Sequence, residues 1–169
     1  MENLAYMTIG TGVGVGVVID GNLVHGLQHP EGGHIRVNRH KDDAFQGICS
    51  IHGDCLEGLV TNNAIKERKG LQSVDLCGTL TDEDPTWEYI AYYVAQLCLN
   101  LLYLNSMQKI LIGGGIINRT HLLTLIKQEF IKLNNSYIDN ELVKDKIDSY
   151  IDRTAFGNFS GILSAFALI

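Results

Sequence analysis

The sequence predicts an α/β domain in which a mixed β-sheet is flanked by helices. Two observations lead to this fold class. Three short β-rich runs separated by glycine breaks open the chain, and helical and strand patterns then alternate to its end. Such an order places an antiparallel set of strands before parallel crossover units. The length of 169 residues suits one domain with a substantial core. We therefore expect a single domain over residues 1–169.

The first three elements are predicted to be antiparallel strands. They cover Tyr6 to Ile9, Val15 to Ile19 and Asn22 to His25. Asp20-Gly21, between the second and third runs, is a two-residue hairpin signal. These runs are close enough in sequence for each to pair with the next.

Two helical patterns follow. Leu56 to Lys69 has apolar residues at mostly helical spacing. Pro85 and its acidic neighbours are typical of a helix start, and the helix is expected to continue to Ser106. It is apolar nearly all round, which predicts that it is buried or packed at an interface. Cys98 within it is predicted to be a buried core thiol.

The last part of the chain alternates between strand and helix patterns. Lys109 to Gly115 reads as a buried strand that ends in a glycine turn, and Asn118 to Asn134 as the next helix. Asp148 to Ile151 is predicted to be a short strand, and Ser160 to Ile169 a final apolar helix. This alternation predicts the parallel part of the sheet.

Composition excludes several classes of function. The net charge of −6 and the lack of a basic run argue against a nucleic acid partner. No apolar run approaches the roughly 20 residues of a membrane span. Glu2 follows Met1 where a signal peptide has basic residues, so a cytoplasmic location is expected. In that compartment cysteines serve more often as metal ligands or core thiols than in disulfides.

The segment Cys49-Ser-Ile-His52-Gly-Asp-Cys55 has the composition of a metal loop. With His34 upstream it supplies two thiols and two imidazoles, which is the number of ligands that tetrahedral Zn²⁺ requires. We expect a structural zinc site, because four protein ligands leave no position for a water. His40 is the reserve ligand if His34 faces elsewhere. The alternative is that these side chains share a loop without a metal.

Two glycine segments could lie close to a ligand. In Gly10-Thr-Gly-Val-Gly14, closely spaced glycines would let backbone N–H groups approach a phosphate. It is not a Walker A loop, because no Gly-Lys-Ser/Thr follows. On the residues alone a glycine-rich hairpin is the favoured interpretation. Gly113–Gly115 sits between a predicted strand and helix, where α/β folds bind ligands, although turns and helix caps use glycine too.

Taken together, several motifs resemble the ROK family of repressors and sugar kinases. The motifs that carry the resemblance are Thr8–Gly14, Glu31-Gly-Gly-His34, Cys49–Gly58, Ile112–Ile116 and Gly161–Leu168. They span essentially the whole chain in order. The C-x-x-H-x-x-C spacing and His29-Pro-Glu-Gly-Gly-His are similar to the bacterial fructokinase branch. The resemblance implies an actin-like, ribonuclease-H-like fold.

The resemblance also implies roles for individual residues. Glu31 and His34 would contact a sugar, fructose or a related hexose, although Glu31 could instead be a solvated loop carboxylate. ATP and Mg²⁺ would be the other ligands, with Thr11 as a hydroxyl donor to a phosphate. The expected nucleotide-binding residues are Gly10, Thr11, Gly12 and Gly14 for phosphates, and Gly113, Gly114 and Gly115 for adenosine. The same four ligands, His34, Cys49, His52 and Cys55, would hold zinc.

The chain departs from the family pattern at its start. Family kinases begin with a D-x-G-G-T-like phosphate loop and take their general-base aspartate from an N-D-x-N-like segment, and neither is present. We therefore expect a C-terminal lobe only, without the N-terminal lobe that supplies the aspartate. The expected reaction of the parent protein is phosphoryl transfer from ATP to the 6-hydroxyl of fructose. The isolated chain is expected to be inactive.

Two other functions stay open at this point. One is the sugar-sensing domain of a ROK transcription repressor, whose DNA-binding segment the chain would also lack. The other is a stand-alone zinc-stabilised binding or oligomerisation module. Family members often pair through this lobe, so the apolar helix from Pro85 to Ser106 is compatible with a homodimer.

Overall fold

A five-stranded mixed sheet forms the centre of the computed structural model, which describes residues 1–71 and 80–155. The strands are β1 (Leu4–Ile9), β2 (Val13–Ile19), β3 (Asn22–Leu23), β4 (Lys109–Gly113) and β5 (Ile151–Arg153). Their order is β3-β2-β1-β4-β5. The pairs β1–β2 and β2–β3 are antiparallel, whereas β1–β4 and β4–β5 are parallel. The predicted mixed sheet is therefore confirmed.

Two long helices pack against each other and against the sheet. The helices are α1 (Leu56–Val60), α2 (Asn62–Lys69), α3 (Thr86–Asn105), α4 (Thr120–Asn134), α5 (Glu141–Lys144) and α6 (Ile147–Tyr150). Alternate residues of β1 and β4, such as Met7 and Ile112, are fully buried in one core with residues of α3 and α4. Within the described ranges, none of the helices has both the length and the apolar character to cross a membrane.

Helix α3 begins where the acidic and proline residues predicted a start. The Asp84 carboxylate accepts a hydrogen bond from the Thr86 N–H at 2.9 Å, which satisfies one free amide of the first turn. Most of the helix is buried, and Cys98 is fully inaccessible, as predicted. Burial raises the pKa of the Cys98 thiol to about 12. The homodimer that this helix is compatible with stays a prediction.

Several predicted elements have other bounds in the structure. The helix expected over Leu56–Lys69 is interrupted at Thr61, whose backbone is extended. The strand expected from Asp148 starts only at Ile151, because residues 147–150 form α6. The third strand ends at Leu23 instead of His25. The helix predicted over Ser160–Ile169 lies outside the described residues.

Candidate functional site

The two glycine segments lie side by side at one edge of the sheet. Strands β1 and β4 are parallel, with Thr8 opposite Gly113, so the loop after β1 and the turn after β4 leave the sheet together. Gly114 has a φ of 93°, and a Cβ at this position would lie 2.2 Å from the Ile9 carbonyl oxygen. Only glycine permits so close a contact between backbones. The edge is the one at which open α/β sheets bind ligands.

The loop between β1 and β2 borders an open pocket of about 380 Å³, which is lined by Thr8, Gly10–Gly14 and Glu57. Gly10 donates its N–H to the Gly12 carbonyl at 2.9 Å, which makes the turn tight. A Cβ on Gly10 would meet no atom within 4 Å, and Thr11 is exposed. Thr11 is therefore accessible to a ligand in the pocket, as its predicted role requires.

The turn from Glu31 to His34 packs directly on the beginning of β2. Residues Gly32–His34 form a 3₁₀ turn, and the His34 N–H donates to the Glu31 carbonyl at 2.9 Å. A Cβ on Gly33 would lie 2.3 Å from the Val13 carbonyl oxygen. The predicted sugar-binding turn is thus held against the end of the glycine loop, with Glu31 exposed and His34 half-buried.

The four predicted metal ligands are brought together in one cluster. The ligand atoms of His34, Cys49, His52 and Cys55 all lie within 4.8 Å of one another. The His34 Nδ1 is 3.5 Å from the Cys55 sulfur and 4.0 Å from the Cys49 sulfur, and the His52 Nδ1 is 3.7 Å from the Cys49 sulfur. Zn–S bonds of about 2.3 Å and Zn–N bonds of about 2.0 Å in a tetrahedron imply S···N edges of about 3.5 Å. The residues therefore fit a tetrahedral metal ion.

The two cysteines of the cluster have opposite pKa shifts. Backbone N–H groups of His52 and Ile51 lower the pKa of the Cys49 thiol to about 6, and the His52 N–H lies 3.4 Å from the sulfur. Burial raises the pKa of Cys55. Since metals bind the thiolate, Cys49 can present a ligand near neutral pH, whereas Cys55 must release its proton on binding.

His40, the reserve ligand, takes no part in the cluster. Its ring lies against Tyr89 and Tyr92 of α3, with centroids 4.9 and 5.2 Å apart. Its Nδ1 is 4.0 Å from the exposed Asp42 carboxylate. His40 therefore joins the loop to α3 through ring contacts, and His34 is the fourth member of the Cys/His cluster.

A buried ion pair fixes the segment that precedes the metal loop. The Asp43 carboxylate accepts hydrogen bonds from Arg68 of α2 at 2.9 Å and from the Tyr93 hydroxyl of α3 at 2.8 Å. The side chains of Asp43 and Arg68 are 3% and 8% exposed. Nearer the ligands, Arg36 pairs with Asp54 at 2.6 Å. The segment is thus attached to α2 by an ion pair and to α3 by a hydrogen bond.

Glu57 lies in the site, although the sequence predicts no role for it. Its Oε2 accepts a hydrogen bond from the Val13 N–H at 3.0 Å, and its Oε1 lies 3.9 Å from the His34 Nε2. It stands in the first turn of α1, two residues after Cys55. Its position close to a cysteine ligand, at the start of a helix, is the sequence signal that places it near the metal loop, but its contact with Val13 has no such signal.

Sequence comparison relates the chain to sugar kinases. The model of the ROK family matches residues 1–169. A fructokinase from Lactococcus lactis subsp. cremoris is 39% identical over 140 residues, which cover 82% of this chain and 47% of the relative. A fructokinase from Pediococcus pentosaceus is 37% identical over 168 residues, which cover 99% of this chain and 56% of the relative. The chain therefore spans about half the length of these relatives.

Solved structures share the fold. A ROK family glucokinase from Streptomyces griseus, in complex with glucose and AMPPNP, superposes with a TM-score of 0.72 at 18% identity and covers 99% of this chain and 60% of its own. A ROK family transcriptional regulator superposes with a TM-score of 0.57 at 19% identity. The match covers 90% of this chain and 41% of the regulator. The predicted actin-like fold is confirmed, and kinases and regulators have it in common. Because the family model matches every residue, the chain belongs to the ROK family.

Proposed function

We propose that this chain is the C-terminal lobe of an ATP-dependent fructokinase, which transfers a phosphoryl group from ATP to the 6-hydroxyl of fructose. The observation that carries the proposal is the packing of the Glu31–His34 turn on Val13 at the end of the glycine loop. A sugar at the turn and a phosphate at the loop would then be neighbours. Identities of 37–39% to fructokinases support fructose as the sugar.

In this proposal each part of the site has a separate task. The Glu31 carboxylate accepts hydrogen bonds from sugar hydroxyls, and His34 contributes beside it. The loop of Gly10, Thr11, Gly12 and Gly14 binds the phosphates of ATP with Mg²⁺. Gly113–Gly115 contacts the adenosine. Phosphoryl transfer depends mainly on such positioning and on charge stabilisation.

The proposed ion of the Cys/His cluster is Zn²⁺. Two thiolates and two imidazoles in tetrahedral arrangement are a ligand set that zinc prefers. Since all four positions are filled by protein, the ion would stabilise the loop and would not activate a water. The Glu31–His34 turn would gain rigidity through the ligand His34, which favours a preorganised sugar site.

The general base is assigned to the part of the relatives that this chain does not cover. An N-terminal lobe would complete the cleft and supply an aspartate to accept the proton of the sugar hydroxyl. Closure of two lobes would also exclude water from the reacting phosphate. The chain by itself is therefore expected to bind ligands without turning them over.

Calorimetric titration of the zinc-loaded chain tests the proposal. We expect binding of ATP with Mg²⁺ and of fructose, with weaker binding of glucose and mannose, and no fructose-dependent ADP production in a coupled assay. Glu31→Gln should weaken fructose binding by about tenfold or more, because a hydrogen bond to a charged group contributes about 1.5–3 kcal/mol. Glu141→Gln, at an exposed glutamate of α5, is the matched control and should bind fructose normally.

Three results would contradict the proposal, each in a different part. Sustained ADP production by the chain would show that the base lies within it. Sugar binding without nucleotide binding would favour the sensing domain of a repressor. Tight binding of a protein partner, with no response to sugar or nucleotide, would favour the stand-alone module.

A further inference from the structure

Glu57 connects the Cys/His cluster with the glycine loop. One carboxylate oxygen accepts the Val13 N–H at 3.0 Å, and the other faces the His34 Nε2 at 3.9 Å. We infer that Glu57 couples the two sites, so that metal bound at the cluster strengthens nucleotide binding at the loop and nucleotide strengthens metal binding. The inference rests on the proposed function in one respect, namely that the loop binds the phosphates of a nucleotide.

The orientation of His34 is the first step of the coupling. Its Nδ1 faces the sulfurs of Cys55 and Cys49 at 3.5 and 4.0 Å, so the opposite ring nitrogen faces Glu57. A metal bound at Nδ1 leaves the hydrogen on Nε2, which becomes a donor aimed at the carboxylate. Metal binding thereby selects both the ring orientation and the tautomer that Glu57 can bind.

The backbone of Glu57 belongs to the metal loop as well. Its neighbour Gly58 packs so closely on the loop that a Cβ there would lie 2.1 Å from the Gly53 carbonyl oxygen and 2.9 Å from the Cys49 nitrogen. The Gly58 carbonyl accepts the Ile48 N–H at 3.0 Å. A shift of the metal loop must therefore move the start of α1, and Glu57 with it.

The side chain of Glu57 packs against the glycine loop. A Cβ on Gly12 would lie 3.0 Å from the Glu57 Oε2, so the carboxylate lies directly against the loop. Its bond to the Val13 N–H fixes the junction of the loop with β2. The position of the carboxylate consequently decides the shape of the backbone that the phosphates would contact.

The inference is tested by measuring the affinity for ATP with Mg²⁺ by calorimetry, first on the zinc-loaded chain and then after zinc removal by a chelator. We expect zinc to strengthen ATP binding by at least about fivefold, the lower end of usual coupling. Linkage requires the same factor when zinc affinity is measured with and without ATP. Glu57→Gln keeps an oxygen for Val13 but loses the charge that faces His34, so the factor should fall towards one. Glu67→Gln, at an exposed residue of α2, should keep it.

A second measurement needs no nucleotide. Zinc titration followed by amide NMR should shift the Val13 resonance more in the unaltered chain and in Glu67→Gln than in Glu57→Ala, in which only the packing of Val13 on the Glu31–His34 turn remains. An equal shift in Glu57→Ala would overturn the inference. Failure of ATP to bind either the zinc-loaded or the zinc-free chain would overturn the proposed function. The Val13 resonance would then still show whether Glu57 transmits zinc binding to the glycine loop. Equal ATP affinity with and without zinc, or a Val13 resonance that does not respond to zinc, would overturn the inference.

Discussion

At the scale of single residues, the close contact of Gly114 with Ile9 explains how two separate glycine segments form one edge. The turn after β4 passes over the last residue of β1 with no room for a side chain, and its φ of 93° is unfavourable for other residues. The backbone geometry therefore requires glycine at this position, whether or not a ligand binds there.

Gly114→Ala is expected to destabilise the chain by about 1–3 kcal/mol, since the added Cβ meets backbone and the φ is strained. Gly115→Ala is the matched control, because a Cβ there would meet no atom within 4 Å. Urea unfolding followed by circular dichroism measures both changes. Similar stability of the two variants would show that the close contact has no energetic weight.

The metal ligands could be predicted from sequence because a tetrahedral ion needs four donors and the spacing supplied them. His34, Cys49, His52 and Cys55 do converge. Glu57 could not be assigned in the same way. Its partners, the Val13 amide and the His34 ring, lie 44 and 23 residues away, and hydrogen bonds of this kind leave no periodic pattern.

At the scale of elements, Thr61 shows how a tertiary contact overrides helical spacing. Its extended backbone separates α1 from α2, and its hydroxyl accepts the Ala64 N–H at 3.3 Å as an N-cap. The next amide, that of Asn62, donates to the Gly10 carbonyl at 2.9 Å. The interruption of the helix thus provides a donor that fixes the first residue of the glycine loop.

Thr61→Ala should lower the free energy of unfolding by about 1–2 kcal/mol through loss of the N-cap. Asn63→Ala, at an exposed position of the same helix, is the control and should change stability by less than about 0.5 kcal/mol. Thermal unfolding monitored by circular dichroism measures both. An unaltered melting temperature for Thr61→Ala would mean that the cap is dispensable.

The elements that sequence predicts well are those with a local signal. The Asp20-Gly21 turn and the acidic start of α3 need only neighbouring residues, and both are found. The extent of β5 depends instead on its parallel partner β4, which is some 40 residues away, and its start was misplaced by three residues. Pairing across such distances is set by the assembled sheet.

At the scale of the whole molecule, a buried and a half-buried ion pair connect separate parts of the chain. Asp43 pairs with Arg68, and Asp84 pairs with Lys69 at 2.8 Å. Burial raises the pKa of each carboxyl, but hydrogen bonds and charge from the basic partners outweigh it, so both pKa values lie below the ordinary value. Both pairs hold α2 to other parts of the chain, Asp43 in the segment that precedes the metal loop and Asp84 just before α3.

These lowered pKa values predict a loss of stability in acid. A carboxyl with a lower pKa in the folded state contributes its full stability above the unfolded pKa of about 3.9, and loses it as pH falls through the folded value. Stability in the presence of chelator should therefore fall as pH decreases from about 5 to 3. Asp43→Asn should lower it by about 3–5 kcal/mol at pH 7, because Arg68 is left buried without its partner, and should flatten the acid dependence.

Urea unfolding of the chain between pH 3 and 7 provides the measurement. Asp42→Asn is the control, since its carboxylate is exposed and should leave the curve unchanged. The chelator removes any contribution of metal release to the acid dependence. Parallel curves for Asp43→Asn and the unaltered chain would contradict a stabilising role for the pair.

The pairing of β1 with β4 has a consequence for the order of folding. β1 can join β2 across a short loop, but its other neighbour begins about a hundred residues later, at Lys109 opposite Leu4. Contacts between such distant segments are slow to form, because a long stretch of chain must be closed first. During synthesis, one edge and an apolar face of the β1–β2 hairpin would stay uncovered until β4 emerged. That interval is when the chain would be most exposed to aggregation.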